Sequence, residues 1–278
     1  MRVATDIWIG NEALAVAERA GAFDPAEIRR VEYSSNQEIL RALRNGLIES
    51  AALLLDEALV AAHDGTDLVI LAAVDASKGG DAIIGQPAMT SLADLKGRRV
   101  GVQLNSGGLQ MLYRGLAEAG LVIGDVTVVN VPPDRHVRMF TTGEVDAVVT
   151  FEPMRTMLLD RGGVQVFDSS AFSQDIVNVL VARRDYLVAN PERGRALASA
   201  WFAGAAEIVA SDSTRQWVAH RQGLTSDQVQ RALSTVDFYD AARSRALVSD
   251  TQSALVQTAH RFHHFMRQNG RLSRDIWV

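Results

Sequence analysis

The chain has 278 residues, with 28 lysines and arginines against 33 aspartates and glutamates, a formal charge of −5, and no cysteine. That balance offers no basic footprint for a polyanion, so nucleic acid is excluded as a partner, and the missing thiols exclude disulfides, thiolate metal sites and a cysteine nucleophile. At 47% apolar and 22% charged residues the composition is that of an ordinary folded protein, too long for one small core.

Two compact lobes or one large α/β domain are therefore expected. No apolar run approaches the ~18 residues of a membrane span. Met1-Arg2 leads straight into "VATDIWIG", a strand pattern rather than the apolar core of a signal peptide. Either the protein is cytosolic or an export segment precedes this sequence.

Hydrophobic periodicity predicts strands at Val3–Trp8, Ile28–Tyr33, Ser50–Leu54 and Leu68–Val74. Helices are predicted between them at Glu12–Ala20, Asn36–Asn45 and Asp56–His63. Gly21, Gly46 and Gly65 follow these helices, where a left-handed stop is expected. Such alternation implies a mainly parallel sheet covered by helices on both faces.

A second set follows Pro87. Its strands are expected at Arg99–Gln103, Val126–Val131, Ala147–Thr150 and Gln165–Asp168, with helices at Gly108–Ala119, Asp134–Thr141 and Pro153–Arg161. Gly120, Gly143 and Gly162 supply the stops. A lone β-rich run, Ile176–Ala182, then leads into helical sequence covering Asp185–Ala189, Pro191–Ser211, Thr214–Gln222, Ser226–Thr235 and Asp250–Asn269. The simplest physical solution returns the lone strand to the first sheet and packs the terminal helices around it. Residues 1–86 and 176–278 then form a discontinuous first lobe and 87–175 a second. Two crossings, near Gly85–Thr90 and Phe172–Asp175, would join them as a hinge around a ligand cleft.

Five segments carry a family likeness: "DIWIGNEALAVAERAGAFDP", "SSNQEILRALRNGLIESAALLLDEAL", "VDASKGGDAIIG", "SLADLKGRRVGVQLNSGG" and "GEVDAVVTFEP". In order and spacing the chain resembles the solute-binding proteins of ABC importers, in the nitrate/sulfonate/taurine-type group with the type II periplasmic-binding fold. "DLKGRRVGV" speaks for that fold; "DASKGGDAIIG" and "VTFEP" point toward the sulfonate/taurine/pyrimidine branch. The resemblance implies an α/β, two-lobed architecture, a periplasmic or otherwise extracytoplasmic location with the cytoplasm left open, a small-molecule ligand, an ABC permease as membrane partner, and a monomer. It implies neither cofactor nor catalysis.

Ligands in such folds sit beyond the carboxyl ends of the strands. The candidate ligand-binding residues are therefore Trp8, Ser34, Ser35, Asn36, Leu55, Asp56, Asp75 and Ser77 in the first set, and Asn105, Ser106, Gly107, Phe151 and Glu152 in the second. Ser35, Asn36, Asp56 and Ser106 read equally well as plain helix caps. Asp56, Asp75 and Glu152 oppose a bare anion and favour a ligand bearing an amine, amidine or amide N–H. Trp8 and Phe151 offer apolar walls, or core packing.

Nucleotide binding finds no support. No lysine follows Gly107-Gly108 as a phosphate loop requires, and "LNSGGLQ" lacks the three-glycine dinucleotide spacing. "HRFHH" places His260 and His264 at i,i+4, but without the glutamate of a zinc-protease motif it reads as a surface helix. His136, after the "NVPPD" loop, reads as a helix-surface residue, with a place at the cleft as the alternative. No Gly-x-Ser-x-Gly elbow is present. Thiamin-pyrimidine synthases share the fold but carry a cysteine-rich motif absent here. The expected function is a solute-binding protein for a small polar organic ligand, sulfonate/taurine-like or a nitrogen-bearing heterocycle. The alternatives are a ligand-sensing domain of a membrane receptor or kinase, or a cytosolic vitamin- or quinone-biosynthesis enzyme.

Overall fold

A computed structural model describes residues 1–104, 107–172 and 175–268. Its first half alternates as the periodicity predicts: β1 (Arg2–Thr5), α1 (Glu12–Arg19), β2 (Arg29–Glu32), α2 (Asn36–Arg44), β3 (Ser50–Leu54), α3 (Leu55–His63) and β4 (Leu68–Ser77). Next come β5 (Ala82–Gly85), β6 (Arg99–Val102), α4 (Gly107–Glu118), β7 (Thr127–Asn130), α5 (His136–Thr141), β8 (Ala147–Thr150), α6 (Met154–Leu159) and β9 (Val164–Asp168). The chain continues with β10 (Val177–Arg183), α7 (Arg184–Ala189), α8 (Pro191–Ala210), α9 (Asp212–Gln222), α10 (Ser226–Leu233), β11 (Val236–Phe238), α11 (Ala241–Ser249) and α12 (Ala254–Gln268). All six glycines expected to stop helices take positive φ, a region that a Cβ would penalise.

These elements form two sheets and two compact units. The first unit holds residues 1–76, with 174–223 and 237–278 as far as they are described; the second holds 77–173, likewise as described, and 224–236. The first sheet runs β11-β4-β10-β3-β1-β2. β1 pairs in parallel with β2 and β3, while β10 enters antiparallel between β3 and β4. Six of its seven residues are buried, as a central strand covered on both faces requires. Within this unit α8 lies close against α1: a Cβ added at Gly204 would stand 1.9 Å from the Ala13 carbonyl oxygen.

The second sheet runs β7-β6-β8-β5-β9, with β6 parallel to β7 and β8, and β5 antiparallel to β8 and β9. Its core is built from Ile84, Val131, Phe140, Val145, Val148 and Leu158. Four elements differ from the expectation. β5, a four-residue apolar run with no readable period, belongs to the second sheet, so the chain enters the second unit at Ser77 rather than after residue 86. Helix α10 belongs to the second unit too, because Val229 and Ala232 are fully buried there and Arg231 and Gln228 bind Asp160 at 2.7 Å. The short β11 and the weakly amphipathic α11 had no sequence signal at all.

Candidate functional site

In the first unit, β1, β3 and β4 end in a group of buried acids. The chain leaves β1 at Asp6, whose Oδ1 accepts the Trp8 backbone N–H at 3.0 Å and the Asn11 side-chain amide at 2.6 Å. The strand expected to run through Trp8 thus stops at Thr5, and Trp8 turns inward with only 6% of its surface exposed. Its indole N–H donates to Asp75 Oδ1 at 3.1 Å, and the same oxygen accepts Asn178 Nδ2 at 2.7 Å. Asn178 faces Asp75 directly in the β10–β4 register. Glycine at position 10 makes this possible: a Cβ there would stand 2.3 Å from the indole nitrogen and 2.8 Å from Asp75 Oδ2.

After β3, Leu55 starts α3 and is buried in the core, while Asp56 and Glu57 follow in the helix's first turn. Glu57 Oε2 accepts the Leu54 N–H at 3.1 Å and Asn36 Nδ2 at 2.7 Å. Asn36 opens α2, capped by the Ser35 hydroxyl, which accepts the Glu38 N–H at 3.4 Å; the Ser34 hydroxyl donates back to Glu38 at 2.8 Å. Ser34 and Ser35 thus form the capping arrangement, and Asn36 and Asp56 reach the acidic group.

Burial dominates the electrostatics here. It pushes the Asp6 carboxyl up to about 6 and the Asp56 and Asp75 carboxyls up to about 7. Glu57 is raised well above its ordinary range, first by burial and then by the charges of Asp56 and Asp6. Among the described residues, none of the four carboxylates pairs with a lysine or arginine. Nor does any group of three or more acidic or histidine side chains stand where it could hold a metal ion, among those residues.

Two polar groups of the second unit, at Ser77 and at Glu152, are internally bonded. Ser77 is fully buried; its hydroxyl accepts the Asp81 N–H at 2.9 Å and lies 2.8 Å from the Ser169 hydroxyl, which accepts the Gly79 N–H. Glu152, fully buried after β8, accepts Arg155 Nη1 at 2.8 Å, the Thr156 hydroxyl at 2.9 Å and the Thr156 N–H at 3.0 Å. Its charge is therefore compensated on the spot, unlike that of Asp56 or Asp75. Phe151 is half-buried and packs edge-on against His136, ring centroids 6.4 Å apart.

His136 is a core residue rather than a helix-surface one. Nε2 stands 3.2 Å from the Val131 carbonyl and Nδ1 3.0 Å from the Thr150 hydroxyl. A carbonyl can only accept, so Nε2 carries the proton and Nδ1 accepts from Thr150. Burial holds the imidazole down at about 4, neutral at physiological pH. Gly107 is the first residue of α4. Asn105 and Ser106 lie outside the described residues.

Four members of the acidic group had escaped the sequence reading: Asp6, Asn11, Glu57 and Asn178. Asp6 follows a strand directly, Glu57 sits beside Asp56 in an otherwise apolar stretch, and Asn178 is the one polar residue within "VNVLVA". Of these, Asp6 and Asn11 partner each other within one loop, Glu57 takes Asn36 from the start of α2, and only Asn178 meets its partner by pairing across the sheet.

Comparison with known proteins places this geometry in context. The model of the NMT1-like family matches residues 1–223. A Brucella abortus protein named as a binding protein is 29% identical over 126 residues, 44% of this chain and 40% of the relative. An Escherichia coli K12 protein named for binding aliphatic sulfonates is 28% identical over 171 residues, 60% of this chain and 53% of the relative. The chain thus aligns with about half or less of these curated relatives' lengths. Among solved structures, the alkanesulfonate-binding protein SsuA of Xanthomonas axonopodis pv. citri, bound to MOPS, superimposes with a TM-score of 0.85 at 20% identity, covering 99% of this chain and 94% of that one. The fold is accordingly that of periplasmic binding proteins.

Proposed function

Because the chain belongs to the NMT1-like family, we propose that it is the solute-binding component of an ABC importer. It takes a small polar organic molecule by closure of its two units and delivers it to a membrane permease from the extracytoplasmic side. The ligand class is sulfonate/taurine-like or a nitrogen-bearing heterocycle.

The observation that carries this reading is the buried acidic group at the carboxyl ends of β1, β3 and β4. Buried polar groups without partners are expensive in a fold that has no use for them, and this is the end of the sheet where α/β folds take ligands. Relatives named as binding proteins for alkanesulfonates and taurine support it as well. Catalysis finds no such support. The buried histidine of the second unit has both nitrogens engaged, and the chain has no cysteine. Among the described residues no helix is long and apolar enough to cross a membrane.

Calorimetric titration of the protein against sulfonates, amines and aminopyrimidines tests the proposal. One site of about micromolar affinity or tighter (on the order of −8 kcal/mol) is expected, with small-angle scattering showing a smaller radius of gyration in the bound state. A protein that binds none of these solutes and does not compact is not a solute-binding protein of this class.

A further inference from the structure

The acidic group has a second property, independent of its charge. Four of its buried oxygens have no hydrogen-bond partner among the described residues: Asn11 Oδ1, Asn36 Oδ1, Glu57 Oε1 and Asp75 Oδ2. Three of the four belong to side chains more than nine-tenths buried, Asn11, Glu57 and Asp75. The two amide oxygens always accept; the two carboxyl oxygens accept once Glu57 and Asp75 are ionised.

Their orientation is not arbitrary. An amide can turn either end toward a neighbour, but a carboxylate accepts only from the NH2 end. Asp6 therefore fixes Asn11, Glu57 fixes Asn36, and Asp75 fixes Asn178, each through Nδ2 at 2.6–2.7 Å. The Trp8 indole N–H goes to Asp75 as well. These local side-chain donors are thus consumed by carboxylates, and what remains over is a set of oxygens that need donors from outside.

We propose that this end of the first unit receives an organic cation, the ammonium or amidinium end of the solute, whose N–H donors bond Glu57, Asp75 and the amide oxygens of Asn11 and Asn36. The inference rests on the solute-binding reading and specifies its ligand. A sulfonate or nitrate oxygen meets poorer partners here: it brings acceptors to the amide oxygens of Asn11 and Asn36 and, wherever Asp6, Asp56, Glu57 or Asp75 is ionised, a like charge. Like charges 4 Å apart repel by about 4 kcal/mol at an effective dielectric near 20. A metal ion fits poorly as well, since among the described residues no three ligating side chains converge. An ammonium carries three N–H donors on one nitrogen and an amidinium up to four on two, the complement of buried oxygens that lack donors. Any sulfonate group of a zwitterionic solute is then held elsewhere.

Matched pairs of ligands isolate the cation. Taurine and isethionate share a sulfonate and differ by ammonium against hydroxyl; 4-aminopyrimidine, whose protonated form is an amidinium, is paired with pyrimidine. The nitrogen member of at least one pair binds tighter by about tenfold or more, the worth of one hydrogen bond between charged groups. Glu57→Gln and Asp75→Asn each shrink that ratio, lowering the nitrogen member's affinity more than its partner's; two variants are used so that one folding failure does not decide the outcome. Titration in buffers of different ionisation heat adds a second readout. The titratable groups acting on Asp75 are Asp6, Asp237 and Tyr239, and those acting on Glu57 are Asp6 and Asp56. With carboxyls pushed up to about 7, an ammonium entering at neutral pH displaces protons into the buffer. Equal binding within both pairs, or variants that weaken both members alike, overturns the cation assignment and leaves the solute-binding reading standing. Absence of binding by all four compounds, and by the sulfonates of the wider titration, removes both.

Discussion

The buried acids of the first unit and the Glu152, Ser77 and His136 groups of the second treat their polar atoms in opposite ways. In the second unit, Glu152 accepts three donors, Ser77 and Ser169 hold each other and two backbone N–H groups, and both nitrogens of His136 are engaged. In the first, carboxylates absorb the side-chain donors around them and four oxygens are left over. The bonds around Glu152 and Ser77 close on themselves; the acids of the first unit leave buried oxygens without partners among the described residues. Residue type alone does not separate the two, since a glutamate stands in each.

The largest expected effect tests the closed group at Glu152. Glu152→Ala leaves the Arg155 guanidinium and the Thr156 hydroxyl and N–H without their acceptor. Breaking a buried pair of this kind costs about 3 kcal/mol, read as a lower midpoint in urea. Glu57→Gln in the first unit replaces a carboxyl whose charged form is disfavoured by burial and by Asp56 and Asp6, and should leave the ligand-free protein at least as stable. Should both substitutions destabilise equally, the contrast between the units is lost.

The pH dependence separates the units next. Asp56 and Asp75 keep their protons to about 7 in the folded chain, against about 3.9 for an unfolded aspartate. Their contribution to stability is full below the unfolded value and is lost as pH rises through about 7. His136, held at about 4 against about 6.5 unfolded, contributes in the other direction: fully above 6.5, and lost as pH falls toward 4. The ligand-free protein should therefore melt at a lower temperature at pH 8 than at pH 6, and Asp56→Asn should flatten that fall. An alkaline arm unchanged in Asp56→Asn would mean that Asp56 does not hold its proton.

The smallest effect concerns Ser35. As a helix cap with a 3.4 Å bond to the Glu38 N–H, it is worth about 0.5–1 kcal/mol of stability. Ser35→Ala should lower the melting temperature slightly and leave ligand affinity as it was. A loss of affinity without a loss of stability would move Ser35 from the cap to the ligand.

Much of the fold was legible because its signals are local. Strand and helix periods, caps such as Ser35, and the glycine stops are set by each residue's own conformational preferences and by neighbours within a turn. The resemblance in "DLKGRRVGV" and "GEVDAVVTFEP" added the architecture. β5 and β11 were illegible because runs of four and three residues carry no period; they exist because a neighbouring strand pairs with them.

For the site, the sequence by itself determined where polar residues stand, at the strand ends after β1, β3, β4 and β8, and that the chain carries no thiol and no excess of positive charge. Only the tertiary structure decided which of them are left without partners. Arg155 lies three residues from Glu152 along one helix start and neutralises it within its own turn. Asn178 lies 103 residues from Asp75, and β10 must return between β3 and β4 before they meet. Hydrogen-bond satisfaction is a sum over neighbours in space: Asp6 finds Trp8 and Asn11 in its own loop, Glu57 finds Asn36 at the start of the preceding helix, and Asp75 finds Asn178 only through the order of the sheet.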